Sequence, residues 1–296
     1  MLEVVIASVW HSSEKEARKL LPFMKQCDVF SYEESFRKEQ ELENLEKSWQ
    51  DLLTPNNTLT KFRKVLRQHL SKIYANPGQL AYILKLLEYG YRDGKILFFA
   101  ERHNDDINKN KKVWVPNEWK MHLIPILKEG DFEEFFRLQA EWYTECVEET
   151  TGRDKNIADN IKKAEDAIRK RFPTFATKEK INYLIQIGAD HAPQDYLRDI
   201  SPEKIRIVEK NLCEDYSKTP EYRLYRAFKQ KLPINDEIRR DLLASTILRL
   251  PQLLQPLNTN GELEQQILLM SLPNLKEYFL KNRNILVSEI NHRHIR

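Results

Sequence analysis

The chain has 296 residues, of which 41% are hydrophobic and 31% carry a charge, a balance that excludes an intrinsically disordered protein. Its formal net charge is only +3, so overall charge gives no support to nucleic-acid binding. Three widely spaced cysteines, Cys27, Cys146 and Cys213, argue against a disulfide framework or a structural zinc site. Because the sequence shows neither a signal peptide nor an apolar stretch of about 18 residues, we expect a cytoplasmic protein that stays out of the membrane.

The first predicted unit is a strand, a turn and a helix. Residues 4–9, VVIASV, form an apolar run typical of a buried strand, and His11 follows in the turn. Ser13 and Glu16 have the spacing of a capping box, which predicts that a helix starts here. Because backbone N–H groups at a helix start favour negative charge, His11 lies where a polarised substrate oxygen would be held.

Two further predicted strands are followed directly by acidic or histidine side chains. Residues 27–32, CDVFSY, precede Glu33. Residues 95–100, KILFFA, precede Glu101 and His103. Apolar runs of this length, rich in aromatic and β-branched side chains, are typical of buried strands.

Helical patterns fill most of the chain between the strands. Residues 35–93 show apolar side chains at helical spacing and predict an all-helical insertion. Two more helices are predicted over residues 132–149 and 154–171, separated by Thr-Thr-Gly. The buried face of the second one is marked by Ile157, Ile161, Ala164 and Ile168. Arg153 lies in line with that face, and because an unpaired buried charge is costly, we expect a carboxylate or an anionic ligand beside it.

The clearest strand covers residues 181–187, and it leads directly into Gly188 and, three residues later, His191. Four predicted strands thus deliver a histidine or a carboxylate where they end. The carboxyl ends of parallel strands share one edge of a sheet, and open α/β sheets bind their ligands there. We therefore expect His11, Glu33 and His191 to converge on one crevice, with Glu101 and His103 as secondary candidates.

These elements predict an α/β fold, with a central, largely parallel or mixed sheet flanked by helices. The α/β domain covers residues 1–200 and includes the helical insertion at 35–93. Residues 201–296 show no further strand pattern and predict about five helices, the first opened by Ser201 and Pro202. This all-helical extension could cover the sheet, form a second small domain or provide an oligomer interface.

The order of these motifs resembles the superfamily that joins the erythromycin esterases, the ChaN-like haem-binding proteins and the TraB and Tiki proteins, and it is most similar to the TraB/Tiki branch. The resemblance covers residues 1–200 and lies in VVIASVWH, DVFSYE, GRDKNIADNI and IQIGADH, which contain His11, Asp28, Glu33, Arg153, Asp154, Gly188 and His191. It implies a mixed α/β sheet with a His, Glu and Arg site at one edge. Several members of the superfamily are hydrolases, some metal-dependent, and others bind haem. The resemblance thereby adds Asp154 to the site candidates.

Two kinds of chemistry fit such a residue set. His11, Glu33 and His191 have the donor atoms for a divalent transition metal, such as zinc, manganese, cobalt or iron, which would lower the pKa of a bound water. Without a metal, the histidines act as bases, Glu33 orients a histidine or acts as a base itself, and Arg153 is an electrostatic clamp for an oxyanion.

The expected function is hydrolysis of an ester or amide bond in a small-molecule or peptide substrate. The alternative is a non-catalytic protein of the same fold, whose crevice holds haem or another small molecule, or whose helical half recruits a partner protein. A metal ranks ahead of haem as a cofactor. A nucleic-acid enzyme ranks lower, because no basic and aromatic surface stands out in the sequence.

Overall fold

The computed structural model describes residues 1–9, 13–33, 39–53, 60, 64, 77–102, 123, 125–127, 129–201, 203–213, 218–248 and 262–282. By its contacts the chain forms two compact units. The first consists of Met1–Lys109 and Thr150–Glu214, and the second of Asn110–Glu149 and Asp215–Arg296. The predicted domain boundary near residue 200 stays a prediction.

The first unit contains a five-stranded sheet in which every pair of neighbouring strands is parallel. Its strands are β1 (Leu2–Ser8), β2 (Val29–Ser31), β3 (Ile96–Leu97), β4 (Ile181–Ile187) and β5 (Ile205–Asn211), in the spatial order β3-β2-β4-β1-β5. β1 and β4 pair along their whole length, from Leu2 opposite Ile181 to Ser8 opposite Ile187. The predicted α/β fold, with a central sheet flanked by helices, is confirmed.

Helices cover both faces of this sheet, which explains why its inner strands β1, β2 and β4 are largely buried on both sides. Among the described residues of the first unit, the helices are α1 (Glu14–Lys19), α2 (Leu21–Gln26), α3 (Glu39–Leu52), α4 (Pro77–Arg92) and part of α5 (Phe132–Arg171). One core contains sheet residues such as Ala7 and Phe30 with side chains from α1 to α4, including Leu20, Trp49 and Leu86. The other contains Val4, Ile6 and Ile185 with the predicted stripe of α5, Ile157, Ile161, Ala164 and Ile168.

The described parts of the predicted insertion, α3 and α4, are helical and pack in this core. The tight approach of α4 to the sheet depends on Gly90. A Cβ atom there would lie 2.7 Å from Cε1 and Cζ of Phe30, so no larger residue fits without a shift.

Strand β5 corrects the prediction that only helices follow residue 200. Its sequence, IRIVEKN, carries three charged side chains, as is common in an edge strand. Ile205 is buried, but most of the strand is half-buried or exposed, so its apolar signal is weak. In the sequence, the helix signals at 201–203 are stronger than this short strand pattern, so a helix is predicted. In the folded chain, residues 205–211 pair with the whole of β1 and therefore form a strand.

The long helix α5 corrects a second prediction, because Phe132–Arg171 is continuous through Thr150, Thr151 and Gly152. A glycine inside a helix costs about 1 kcal/mol relative to alanine, and burial of apolar side chains on either side outweighs that cost. Its residues up to Glu149 belong to the second unit and the remainder to the first.

Two local predictions hold only in part. Helix α1 begins at Glu14 as expected, but among the described residues the Ser13 side chain forms no capping hydrogen bond, and Glu16 pairs with Lys19 at 2.7 Å.

Strand β3 ends at Leu97 rather than at residue 100. Beyond it, side chains replace part of the ladder, since Tyr183 donates its hydroxyl to the Phe98 carbonyl at 2.6 Å.

The described elements of the second unit are helices. Besides the first part of α5 it contains α6 (Pro220–Lys229), α7 (Asp236–Leu248), α8 (Glu262–Leu269) and α9 (Leu272–Asn282). Its core includes Phe135, Phe136, Leu242, Leu243 and Phe279. The predicted helical character of the carboxy-terminal region is therefore confirmed beyond β5. In the described part of the chain, no helix is long and apolar enough to cross a membrane.

Candidate functional site

The sheet has a topological switch point between β2 and β4. These strands are neighbours, but the chain leaves β2 towards β3 and leaves β4 towards β5, in opposite directions along the strand order. In open α/β sheets, ligands bind at such a reversal, outside the carboxyl ends of the strands. Glu33 follows β2 and Gly188 follows β4, so both lie at this point.

Glu33 joins the two strand ends. Its Oε2 atom accepts a hydrogen bond from the Gly188 backbone N–H at 2.6 Å, and its own backbone N–H donates to Gln186 Oε1 at 3.4 Å. A Cβ atom on residue 188 would lie 3.0 Å from Glu33 Oε2, closer than most real contacts. Glycine at this position therefore lets the backbone approach the carboxylate.

Arg153, on α5, binds two carboxylates at once. Its Nη2 donates to Glu33 Oε1 at 2.5 Å, and its Nε and Nη2 donate to the two oxygens of Glu101 at 2.5 and 3.0 Å. Burial by itself lowers the pKa of the Arg153 guanidinium, but the hydrogen bonds and charges of Glu101 and Glu33 outweigh it and raise that pKa. Arg153 therefore has the carboxylate partner that its position on the helix predicts, and in fact has two.

His191 lies in the turn after β4, with only 6% of its surface exposed. Its Nδ1 is 2.6 Å from Asp154 Oδ1, and its Nε2 is 3.3 Å from Glu33 Oε1. Asp154 is fully buried and also accepts the Ala192 backbone N–H at 2.9 Å. Its second oxygen is therefore occupied, which holds the carboxylate in place beside the imidazole.

The surroundings of His191 keep it protonated. Burial lowers the pKa of the imidazole, but the Glu33 charge and the hydrogen bonds to Asp154 and Glu33 outweigh this effect and raise the pKa from 6.5 to about 9. At neutral pH both ring nitrogens therefore carry a proton, and each faces a carboxylate oxygen.

The structure thus brings together Glu33, Arg153, His191, Glu101, Asp154 and Gly188, which we call the acid–base cluster. Two other candidates, His11 and His103, lie outside the described residues. Asp28, which belongs to the DVFSYE motif of the resemblance, lies at the opposite end of β2 from Glu33. It pairs with Lys178 at 2.6 Å and accepts the Asn182 N–H at 2.9 Å, away from the cluster.

Three polar residues beside the cluster, Gln186, Asn156 and Asn160, are not among the candidates that the sequence predicts. Gln186 is a buried polar residue near the end of β4, and a polar side chain in so apolar a run was the signal in the sequence. Asn156 and Asn160 follow Arg153 by three and seven positions on α5, the spacing of one helix face. They bind the segment that carries Glu101.

The described residues do not fit a metal ion. In this part of the chain no group of three or more His, Cys, Asp or Glu side chains is arranged to hold one. The Arg153 guanidinium occupies the cation position between Glu33 and Glu101, and both nitrogens of His191 face carboxylates. The predicted ligand set also includes His11, which the structure does not describe.

Comparison with known proteins identifies no relative. The chain matches no protein-family model, no curated protein and no solved structure. The resemblance to the TraB/Tiki branch therefore stays a prediction, and inferences about function depend on the geometry of the acid–base cluster.

Proposed function

We propose that the protein hydrolyses an ester or amide bond, with Glu33 and His191 as a metal-free acid–base pair. The observation that carries the proposal is the buried imidazole of His191, placed between Asp154 and Glu33 at the switch point of the sheet. Buried titratable groups with strongly shifted pKa values in such a place are typical of functional sites.

In this mechanism His191 is the general acid, because its pKa of about 9 keeps it protonated at neutral pH. Glu33 takes a proton from water, and the water oxygen attacks the carbonyl carbon of the substrate. The Nε2 proton of His191 passes to the leaving alkoxide or amine as its bond to carbon breaks. The proton on Glu33 then returns to His191 across the 3.3 Å that separates Oε1 from Nε2.

Arg153 and Asp154 orient this pair. Arg153 holds Glu33 from one side and is itself held by Glu101. Asp154 binds Nδ1, so that Nε2 is the nitrogen left to face Glu33 and the substrate. These contacts favour a positioning role for Arg153 over the oxyanion clamp expected from the sequence.

The test is a panel of chromogenic esters, anilides and peptides assayed with wild type, Glu33→Gln and His191→Gln. We expect hydrolysis by wild type and a loss of kcat of about 100-fold or more in each variant, with the rate falling as pH rises through about 9. Asp241→Asn is the matched control, since it breaks a buried ion pair with Arg223, at 2.7 and 2.8 Å, in the second unit. Equal rates in wild type and Glu33→Gln would refute the proposal.

A second candidate function is a non-catalytic binding protein with small-molecule, haem or protein ligands. The observation that favours it is the mutual pairing of the charged groups, because structural ion-pair networks also shift pKa values. Absence of hydrolysis across the panel, together with saturable haem binding followed by absorbance, would favour this function.

The metal-dependent version of the hydrolase requires His11 as a ligand. Elemental analysis of purified wild type beside a His11→Ala/His191→Ala variant tests it. Near-stoichiometric zinc, manganese, cobalt or iron in wild type and none in the folded variant would support that version over the metal-free pair.

A further inference from the structure

The segment Phe98–Arg102, which follows β3 and carries Glu101, is bound mainly by side chains. The Phe99 N–H donates to Glu46 Oε1 at 2.7 Å, and the Ala100 N–H donates to Ser31 Oγ at 3.0 Å. These bonds fix the first half of the segment against the sheet and α3. They do not reach the two peptide groups that flank Glu101 on either side.

Those two groups are bound by asparagines of α5. Asn160 Nδ2 donates to the Ala100 carbonyl at 3.0 Å, just before Glu101. Asn156 Oδ1 accepts the Arg102 N–H at 3.2 Å, just after it. Asn160 Nδ2 also donates to Asn156 Oδ1 at 3.1 Å, which links the two amides. The backbone partners determine both amide orientations, because a carbonyl requires the NH2 group and an N–H requires the oxygen.

The same helix face carries Arg153, the cation to which the Glu101 carboxylate binds. Residues three and seven positions apart lie on one side of a helix, so Arg153, Asn156 and Asn160 form a single row. One rigid element therefore holds the carboxylate of Glu101 and the backbone on both sides of it.

We propose that Asn156 and Asn160 are positioning residues of the acid–base cluster, which hold Glu101 against Arg153. The inference rests on the proposed function, because it assigns these amides a part in keeping Glu33 available to His191. While Glu101 occupies Nε and Nη2 of Arg153, the guanidinium is shared between two carboxylates. Without the two amides, Glu101 leaves Arg153, and Arg153 draws Glu33 away from His191.

The test compares the same chemical change at the two positions. Asn156→Asp is the conservative variant, because it keeps an oxygen for both of its donors, so we expect a smaller fall in kcat than in the variant of Asn160. Asn160→Asp removes the donor and sets a carboxylate against the Ala100 carbonyl and Asn156 Oδ1, so we expect kcat to fall about 10-fold to 100-fold. Asn282→Asp is the matched control, since Asn282 Nδ2 donates to the Tyr278 carbonyl at 2.8 Å in the second unit.

A second readout is the pKa of His191, followed by NMR. Glu33 raises this pKa and Arg153 lowers it, so movement of Glu33 away from His191 should lower it by about one unit in Asn160→Ala, which adds no charge of its own. A purely structural role would leave the pKa of His191 in the folded variant unchanged. If Asn160→Asp does not fold, Asn160→Ala removes the donor without adding a charge and takes its place.

The two readouts separate failure of this inference from failure of the proposed function. If wild type hydrolyses no probe but the His191 pKa falls in the Asn160 variant alone, the positioning role stands and the hydrolase does not. If wild type is active while the folded Asn160 variant keeps its rate and its His191 pKa, the positioning role is refuted and the hydrolase stands.

Discussion

His191 should make the stability of the first unit depend on pH. The pKa of this imidazole is about 9 in the folded chain, against 6.5 as the ordinary value expected after unfolding. Because the folded state binds the proton more tightly, its stabilising contribution is complete below pH of about 6.5 and disappears as pH rises through about 9. The difference between the two pKa values corresponds to about 3 kcal/mol in the free energy of unfolding.

The assay is urea unfolding of wild type and His191→Gln, followed by tryptophan fluorescence from about pH 6 to about pH 10. Glutamine does not titrate, so the difference between the two proteins isolates the imidazole. We expect the stability advantage of wild type to shrink by about 3 kcal/mol over this range. Glu46→Gln is the control in the same unit. This substitution removes a buried carboxylate that binds Arg102 and Arg171, and neither of these ion pairs contains a histidine.

The Glu46 variant should be less stable than wild type by about 3 kcal/mol at every pH in the range, since breaking a buried ion pair leaves charges unpaired. Parallel loss of stability with pH in wild type and His191→Gln would refute the coupling of His191 to its carboxylates. A His191 pKa near 6.5 by NMR would refute it as well.

Three further predictions concern close contacts and burial. Gly188→Ala brings a Cβ to 3.0 Å from Glu33 Oε2, so hydrolysis should slow about 10-fold, and an unchanged rate would contradict the role of this contact. Gly90→Ala sets a Cβ 2.7 Å from the Phe30 ring and should lower the free energy of urea unfolding by about 1–3 kcal/mol; unchanged stability would show that the core has room. Burial raises the pKa of the Cys27 thiol to about 12, so iodoacetamide near pH of about 8 should label it only after unfolding. Mass spectrometry of the labelled protein checks this, and rapid labelling of the native chain would contradict it.

Local patterns in the sequence were sufficient to predict most strands of the sheet. The apolar runs at β1 and β4 predict buried strands because both faces of each strand are covered, and the structure confirms them. The stripe of α5 from Ile157 to Ile168 is buried as its spacing predicts. Strand β5 was missed because an edge strand needs few apolar side chains, and its pairing partner, β1, is about 200 residues away in the sequence.

In the acid–base cluster, too, the sequence accounts for some features and the tertiary structure for others. The sequence by itself determined which reactive side chains follow each strand, and parallel strands bring their ends to one edge. The partners were decided only by the tertiary structure. Glu33 meets Arg153 and Gly188 across 120 and 155 residues of chain, and His191 meets Asp154 across 37. The protonation of His191 follows from these distant charges and from burial, two quantities that local sequence does not contain.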